Sequence, residues 1–444
     1  MDIKRTISDK LLEWKTSGER RPLIIQGARQ IGKTWVVKDF GKKHFTHFAY
    51  FNFDSNDDLC AEFLRTKDIK RLIHNLSLYS DAPIIPGETL IFFDEIQECN
   101  SALASLKYFC EETPEYHIIA AGSLLGVALH ENHGFPVGKV EFLNMYPLSF
   151  REYFSAYSEQ LGQVVDSCRD LKDFEDLPPI VVSNLEDALR HYRICGGLPR
   201  VAVASLEHKG NDIIAKELNN LLLSYSHDFS KHAPQYEVPR ISYIWESLPS
   251  QLAKENRKFL YKVVRPGARA REYESSLNWL KEAGLIYQVF CSSKPGLPLA
   301  AYDELSIFKI YMFDCGLLRT LARLPADLFR SPNRQFVEFK GAIAENLVLQ
   351  QLVSSTSSMP RYWVSDGIAE VDFIMQSGLD IIPIEIKSGS NSSSRSLSVY
   401  IKKYQPSRAI VISEKPLSVN REGMDGVEMI NLPAYLCSWI EKIL

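Results

Sequence analysis

The chain has 444 residues, of which 45% are hydrophobic and 24% are charged, a composition typical of soluble globular proteins. This length exceeds what one ordinary hydrophobic core supports, so we expect two to four domains. The formal net charge of −4 excludes a global basic field, and any nucleic-acid binding must therefore come from a local patch.

The cysteine pattern and the hydropathy indicate a cytoplasmic protein. The eight cysteines include no C-x-x-C pair and no zinc-like spacing, which predicts reduced thiols. The charged N-terminus, Met1 to Arg5, is unlike a signal peptide. The most apolar long window, Ile118 to Leu129, is too short to span a bilayer, so we expect no membrane partner.

The first predicted elements lead into a glycine-rich loop. Apolar residues at near-helical spacing predict a helix from Thr6 to Ser17. The apolar run from Leu23 to Ile25 then predicts a buried parallel strand. It is followed by a segment that fits the G-x-x-x-x-G-K-[S/T] phosphate-binding pattern, which consists of Gly27, Ala28, Arg29, Gln30, Ile31, Gly32, Lys33 and Thr34.

The residue types in this loop suit a nucleoside triphosphate. Glycines let backbone amides curl around a phosphate, and a helix beginning near Trp35 would direct its positive end at the same anion. We expect Lys33 to reach the β- and γ-phosphates and the Thr34 hydroxyl to bind Mg²⁺. An eight-residue match can also be an ordinary glycine-rich turn. The prediction of a nucleotide site therefore also needs residues that bind the metal and activate water.

A second apolar strand, Leu90 to Glu95, ends in two acids. We expect Asp94 to hold Mg²⁺, directly or through water, and Glu95 to polarise the attacking water as a general base. A strand followed by a solvated acidic turn is the alternative, which the phosphate loop upstream makes less favoured.

A third strand is predicted from Tyr116 to Ser123. A polar residue at the end of a strand beside the acidic one can sense the γ-phosphate, which makes Ser123 the candidate. A helix N-cap before Leu124 explains Ser123 equally well. Strands joined by helices predict a parallel, helix-covered sheet that binds its ligand at the carboxyl ends of the strands.

These motifs resemble those of a prokaryotic AAA-type ATPase family, similar to AAA+ and signal-transduction ATPases, whose members carry a C-terminal domain of uncertain role. The resemblance implies ATP and Mg²⁺ as ligands, and a switch or an oligomeric machine. Where members often have Gly-Arg, this chain has Gly138-Lys139, and lysine lacks the planar fork of an arginine finger. The segments that carry the resemblance are Gly27 to Thr34, Phe93 to Gln97, Ala121 to Ser123, Pro147 to Phe150 and Gly196 to Pro199.

Amphipathic helices predicted at Leu185 to Tyr192 and Ile213 to Tyr225 indicate a small helical lid. Between them, Cys195 to Pro199 resembles a turn that lies against the adenine in related switch ATPases, which places Pro199 in the nucleotide site. A plain helix-ending turn is the alternative.

The segment from Val238 to Val289 resembles a winged-helix module. A stretch of cations within it could follow a phosphate backbone, and between residues 254 and 271 the single acid is Glu255. A solvated or interdomain face is the alternative. The cations are Lys254, Arg257, Lys258, Lys262, Arg265, Arg269 and Arg271.

The last part of the chain has acids in the order found in the PD-(D/E)xK nuclease superfamily, which it resembles. Glu345 lies on a predicted helix, Asp372 lies in a strand, and Glu385 and Lys387 share one face of the next strand. Asp372 and Glu385 could hold a second divalent metal, and Lys387 could orient water or stabilise negative charge. Glu345 could join a metal site or tune Lys387. Chance placement of charged residues in amphipathic strands is the alternative.

The predicted α/β fold has four domains. A P-loop parallel sheet with helices on both faces (1–154) precedes a helical lid (155–236), a winged-helix-like module (237–300) and an α/β nuclease-like domain (301–444). The leading hypothesis is a Mg²⁺-dependent ATPase coupled to a nucleic-acid-binding or nuclease-like C-terminal domain. The alternative is a signalling switch that controls a protein partner through a catalytically inactive nuclease-like fold. Besides ATP, the partners that the sequence leaves open are DNA or another nucleic acid, a protein partner and a second copy of the chain in a homo-oligomer.

Overall fold

The computed structural model describes residues 2–123, 136–254, 258–329, 337–365, 369–387 and 395–444. The chain folds into two compact units. The N-terminal unit comprises Lys4–Tyr146 and Glu282–Gly284, and the C-terminal unit contains the rest of the chain from Pro147 onward, except those three residues. Within the described ranges, none of the helices is both long enough and apolar enough to cross a membrane.

A five-stranded parallel sheet forms the centre of the N-terminal unit, in the order β2-β3-β4-β1-β5. The strands are β1 Leu23–Gln26, β2 His47–Asn52, β3 Thr89–Asp94, β4 His117–Ala121 and β5 Glu141–Asn144. Strands β3 and β4 are buried along their whole length, as expected for central strands of a parallel sheet covered by helices. This confirms the predicted α/β P-loop fold. The carboxyl ends of β1, β3 and β4 meet at one edge.

Among the described residues of this unit, five α-helices cover the sheet with their apolar faces. They are α1 Ile7–Thr16, α2 Lys33–His44, α3 Asp57–Arg65, α4 Ile69–Tyr79 and α5 Asn100–Glu112. Phe93 is the centre of an aromatic cluster on one face, with ring centroids of Phe51, Phe53, Phe63 and Phe109 between 5.6 and 6.1 Å from its own. Such contacts fix how α3 and α5 pack on β3.

A disulfide joins Cys60 on α3 to Cys99 just before α5, with the two Cα atoms 5.7 Å apart. The expectation of reduced thiols is therefore wrong for this pair. These cysteines are 39 residues apart in sequence, and only the packing of α3 against α5 brings them together. The other six cysteines are free thiols, five of them buried.

The C-terminal unit begins with helices. They are α6 Phe150–Tyr157, α7 Glu159–Ser167, α8 Leu171–Glu175, α9 Pro179–Cys195, α10 Pro199–Leu206 and α11 Asn211–His232. Ser149 starts α6 with a reciprocal capping box to Glu152. Three more helices follow and lead into an antiparallel hairpin: α12 Val238–Leu252, α13 Tyr261–Val264, α14 Ala270–Glu282, β6 Ile286–Ser292 and β7 Asp303–Met312.

An eight-stranded mixed sheet completes this unit, in the order β12-β13-β11-β10-β9-β8-β6-β7. Strands β8, β9 and β10 form an antiparallel meander, and β11 runs parallel to β10. This confirms a C-terminal α/β domain. The remaining elements are α15 Cys315–Leu321, α16 Val337–Thr356, β8 Arg361–Val364, β9 Glu370–Ser377, β10 Asp380–Ile386, α17 Arg395–Tyr404, β11 Arg408–Ser413, β12 Ser418–Asn420 and β13 Glu428–Pro433.

A buried carboxylate, Asp314, joins helices of the C-terminal unit. Its Oδ2 accepts a hydrogen bond from the Gly197 amide at 2.6 Å, and its Oδ1 accepts one from the Leu317 amide at 3.0 Å. Gln350 on α16 donates to it at 3.4 Å. Burial raises the pKa of Asp314, and these amide donors oppose that rise by stabilising the charged form. The carboxylate thus fixes the Cys195–Pro199 turn against α15 and α16.

Gly196 makes this close approach feasible, because its φ of +71° and ψ of −166° lie in a region that is essentially restricted to glycine. A Cβ at Gly196 would lie 2.2 Å from Asp314 Oδ1. We expect Gly196→Ala to lower the free energy of unfolding by about 3 kcal/mol or more, through backbone strain and loss of the Asp314 hydrogen bonds. Urea denaturation measures the change.

Gly378 provides the matched control, because its φ of +59° is also left-handed but open space surrounds its Cβ position. Gly378→Ala is expected to cost only about 1 kcal/mol. Equal destabilisation by the two substitutions would show that backbone strain alone, and not the approach to Asp314, makes glycine necessary at position 196.

Candidate nucleotide-binding site

The phosphate loop connects β1 to α2 and is shaped by close backbone packing. Gly27 has a φ of +145°, and a Cβ there would lie 2.2 Å from the Met145 carbonyl oxygen. Gly32, with a φ of +94°, precedes α2, which begins at Lys33, two residues before the predicted start. Ala28 and Ile31 are buried, Arg29 is half-buried and Gln30 is exposed. The whole predicted loop thus lies at the expected end of β1.

Arg5 holds this loop in place and was not predicted from the sequence. Its buried guanidinium donates to the Ile31 carbonyl at 2.9 Å and to the Tyr146 carbonyl at 2.7 Å. The Met145 amide also donates to the Gln26 carbonyl at 2.8 Å. The loop is therefore tied to the last residues of the N-terminal unit. The only sequence signal would have been a charged residue directly before an amphipathic helix, which is too common to be specific.

Lys33 is buried inside the loop. Its Nζ donates to the carbonyls of Gly27 and Ala28, both at 2.8 Å, and approaches the Ser123 hydroxyl at 3.5 Å. Burial lowers the pKa of Lys33 to about 8, and the carboxylates of Glu95 and Asp94 oppose that shift. Neutral carbonyls stabilise an ammonium group less than phosphate oxygens do. Lys33 can therefore exchange these carbonyls for phosphate oxygens.

Thr34 and Asp94 face each other across the ends of α2 and β3. The Thr34 hydroxyl donates to both carboxylate oxygens of Asp94, at 2.9 and 3.2 Å. Burial raises the pKa of Asp94, and the hydrogen bonds from Thr34 and Tyr50 oppose that rise. Mg²⁺ usually binds one or two protein oxygens and completes its shell with phosphates and water, so this pair fits the ion.

Tyr50 is a second residue that sequence reasoning missed. It lies on β2, and its hydroxyl donates to Asp94 Oδ2 at 3.0 Å. Burial and the nearby Asp94 carboxylate raise the pKa of Tyr50, so the phenol stays protonated and donates. The pairing of β2 with β3 places Tyr50 beside the acid, and a sequence pattern of alternating aromatics does not reveal that pairing.

Glu95 follows β3 in a strained backbone conformation, with φ 51° and ψ 44°. Its carboxylate accepts hydrogen bonds from Gln97 Nε2 at 2.7 Å and from the Ser123 hydroxyl at 3.3 Å. The structure therefore brings Lys33, Glu95 and Ser123 together, as the sequence predicted. Gln97 was not predicted as a site residue, although it lies in a segment that carries the family resemblance.

The acids of the predicted nuclease-like site lie in the C-terminal unit. Ile384 pairs with Phe373, so Asp372 and Glu385 lie on the same face of neighbouring antiparallel strands. Asp372 accepts a hydrogen bond from the Ile386 amide at 2.7 Å, and Lys387 donates to Glu385 at 2.6 Å.

Glu345 is also buried, and Tyr311 donates to its carboxylate at 3.0 Å. Among the residues with described positions, no group of three or more His, Cys, Asp or Glu side chains could hold a metal ion. The expectation of a second metal therefore finds no support in these residues.

Two further predicted features lie in the C-terminal unit. Pro199 is the first residue of α10, and the turn before it is held by the Asp314 hydrogen bonds. In the basic stretch, Arg257 and the acid Glu255 lie outside the described residues. All the described cations of the stretch except half-buried Lys258 are exposed: Lys254, Lys262, Arg265, Arg269 and Arg271.

Family models match three parts of the chain. Residues 19–154 match an AAA domain. Residues 186–328 and 340–435 match two domains of unknown function, DUF8612 and DUF4143. A search of curated proteins found no significant match.

Several solved structures are similar, all with low identity. The Walker-type ATPase PABY2304 of Pyrococcus abyssi is 15% identical, with 72% of this chain and 96% of that chain covered and a TM-score of 0.45. The Thermotoga maritima RuvB Holliday junction branch migration motor is 14% identical, with 66% and 90% covered and a TM-score of 0.26. The Aeropyrum pernix Orc1 protein in complex with DNA is 11% identical, with 71% and 90% covered and a TM-score of 0.29.

TM-scores this low do not support a functional inference. The family match and the geometry of the site are the evidence for the type of domain. Residues 19–154 form an AAA-type P-loop domain, the kind of domain that binds and hydrolyses ATP.

Proposed function

We propose that the chain is a Mg²⁺-dependent ATPase whose nucleotide state is coupled to a nucleic-acid-binding or nuclease-like C-terminal domain. One observation carries the ATPase part: buried Lys33, the Thr34–Asp94 pair and the Glu95–Ser123 pair lie together at one edge of the parallel sheet. Each group matches a requirement of phosphoryl transfer, namely a cation for the phosphates, oxygen ligands for Mg²⁺ and a base for water.

The proposed mechanism uses these side chains in sequence. Lys33 exchanges the Gly27 and Ala28 carbonyls for phosphate oxygens when ATP binds. Thr34 and Asp94 would hold Mg²⁺, which when bound neutralises charge on the phosphates. Glu95, oriented by Gln97, accepts a proton from the attacking water. Ser123 lies between Lys33 and Glu95 and would report the γ-phosphate to both.

The coupling proposal is supported by the path of the chain beyond the loop. Arg5 binds the Ile31 carbonyl with one nitrogen and the Tyr146 carbonyl with the other. The next residue, Pro147, begins the C-terminal unit. A shift of the Ile31 carbonyl would therefore move Arg5 and alter its hydrogen bond to Tyr146, the residue directly before Pro147. Arg5 thus offers a physical route by which a change of nucleotide state reaches the C-terminal unit.

Two properties support the nuclease-like proposal for the C-terminal domain. The order α16-β8-β9-β10-α17-β11, with an antiparallel meander and a parallel fourth strand, agrees with the resemblance. Asp372 and Glu385 also share a face beside Lys387. Because the described acids already accept amide, phenol and ammonium donors, we derive no step through a second metal.

The alternative function, a signalling switch with an inactive nuclease-like fold, is favoured by one specific contact. The Lys387 ammonium is 2.6 Å from Glu385 Oε1, so the two side chains form an ion pair. A lysine engaged in this way is not available to stabilise charge on a scissile phosphate. The two functions differ in whether the domain cleaves nucleic acid.

Glu95→Gln and Lys33→Ala test the ATPase proposal. Glu95→Gln should reduce phosphate release by about 10²–10⁴-fold because water loses its base, while ATP still binds. Lys33→Ala should abolish the heat of ATP binding in calorimetry with Mg²⁺. Glu112→Gln alters an exposed acid of the same unit, at the end of α5, and should leave both unchanged. Normal turnover by the Glu95 variant would remove the general-base assignment.

The lowered pKa of Lys33 predicts a pH dependence of ATP binding. Only the ammonium form attracts phosphate, and its pKa is about 8 in the free protein. ATP should raise that pKa, so affinity is full below pH 8 and falls by up to about tenfold per pH unit above it.

Calorimetry in buffers of different ionisation enthalpy would detect the accompanying proton uptake near pH 9. Lys33→Arg supplies the control, because arginine stays charged and should bind ATP with a flatter pH profile. A wild-type affinity that is constant from pH 7 to pH 9.5 would contradict the assignment.

Asp372→Ala and Lys387→Ala decide between the two functions. The leading proposal expects Mg²⁺-dependent cleavage of linear or plasmid DNA by the wild-type chain and its loss in both variants, with ATP hydrolysis retained. Lys402→Ala, an exposed lysine on α17, serves as the control. If wild-type protein with active ATPase leaves DNA and RNA intact, the signalling switch is the better account.

A further inference from the structure

An open pocket of about 480 Å³ lies on the C-terminal unit, formed by the start of α12, the loop after α13 and the start of α14. Its lining includes Tyr236, Arg240, Tyr243, Arg265 and Tyr273. The volume falls within the range of about 300–1,000 Å³ that is typical of ligand pockets. Its combination of aromatic rings and guanidinium groups is unlike an apolar small-molecule site.

Two of the tyrosine rings are open to ligand. Tyr236 is 72% exposed and Tyr243 is 38% exposed, whereas Tyr273 is buried and forms part of the wall. The Arg265 guanidinium lies 5.6 Å from the centroid of the Tyr243 ring, within range of a cation–π contact. Exposed aromatic faces beside arginine are the surfaces on which nucleic-acid bases stack.

A buried carboxylate, Glu237, connects two of the elements that line the pocket. Glu237 accepts hydrogen bonds from Ser275 at 2.7 Å and from Ser276, which ties the start of α12 to α14. Glu237 also lies 3.6 Å from the Arg240 guanidinium. A site held in this way loses little conformational entropy when it binds a ligand.

Arg240, Arg265 and one carboxylate, Glu272, line the pocket. Three more basic residues, here called the rim cations, lie within three residues of that lining in the sequence: Lys262, Arg269 and Arg271. Lys262, Arg265, Arg269 and Arg271 are all exposed, and none of them forms an ion pair with a carboxylate in the part of the chain that the structure describes. In a chain with a net charge of −4, a cluster of uncompensated cations favours a polyanionic ligand.

We propose that this pocket binds single-stranded nucleic acid, with bases stacked on Tyr236 and Tyr243 and phosphates contacted by Arg265 and the rim cations. Base pairs in a duplex cover each other's faces, so only unpaired bases could use the tyrosine rings. An acidic peptide would use the cations but would leave both rings without a partner. The inference rests on the nucleic-acid part of the proposed function and is independent of ATP hydrolysis.

Fluorescence anisotropy with the full chain tests the pocket, with a labelled oligothymidylate strand, the same strand made abasic, and a duplex of equal length as probes. We expect the wild-type protein to bind the base-bearing strand about tenfold or more tightly than the abasic strand or the duplex. Tyr236→Ala and Tyr243→Ala should each weaken oligothymidylate binding about 5-fold or more and should not affect the abasic strand.

Further variants separate the contribution of base stacking to affinity from the contribution of charge. Tyr236→Phe keeps the ring and should retain affinity, whereas Arg265→Ala should weaken all strands and reduce the slope of log affinity against log salt by about one. Tyr79→Ala removes an equally solvent-facing ring on α4 and should have no effect. Thermal unfolding of each variant checks that it is folded.

The outcomes are distinguishable. Equal affinity for base-bearing and abasic strands, preference for duplex, or displacement of the strand by polyglutamate at equal charge concentration would each overturn this inference while leaving nucleic-acid or protein binding in place. If the wild-type chain hydrolyses ATP but binds none of the nucleic-acid probes, the nucleic-acid part of the proposed function fails as well.

Discussion

The burial of the Lys33 ammonium inside its own loop is the interaction on which the nucleotide site depends. The carbonyls of Gly27 and Ala28 hold the charge, and desolvation lowers the pKa of Lys33 to about 8. Arg5 holds another part of the same loop by donating to the carbonyls of Ile31 and Tyr146. The loop is thus preorganised to accept phosphate, which is the stronger partner for an ammonium group.

A buried charge also organises the C-terminal unit, but here the charge is negative. Asp314 is buried among the amides of Gly197 and Leu317 and the side chain of Gln350, and so joins a turn, α15 and α16. Removing one partner from such a buried carboxylate leaves an uncompensated charge, which costs more than the hydrogen bond itself contributes. In each unit a buried charge, stabilised by backbone groups, adds specific contacts to the apolar core.

The two faces of the C-terminal unit that could engage a partner differ in how their charges are satisfied. On the β9–β10 face, the charged groups already have donors or acceptors, as the Lys387–Glu385 contact illustrates. Around the pocket on α12 and α14, Arg265 and its neighbours keep their charges exposed beside open aromatic rings. Exposed cations steer and hold a polyanion at little desolvation cost, whereas an ion pair must first be broken. This contrast is the reason that we propose the pocket, and not the β9–β10 face, as the surface for nucleic acid.

The sequence alone determined the phosphate loop, the acids after β3 and the alternation of Glu385 and Lys387, because each is a local pattern whose chemistry dictates residue type and spacing. It also predicted the parallel sheet, since apolar runs separated by helices have few other arrangements. Only the tertiary structure decided that Tyr50 and Thr34 meet Asp94, that Arg5 reaches Tyr146 across 141 residues, and that Cys60 and Cys99 form a disulfide. Those contacts join residues that are distant in the chain, and strand order and helix packing, which no local pattern encodes, bring them together.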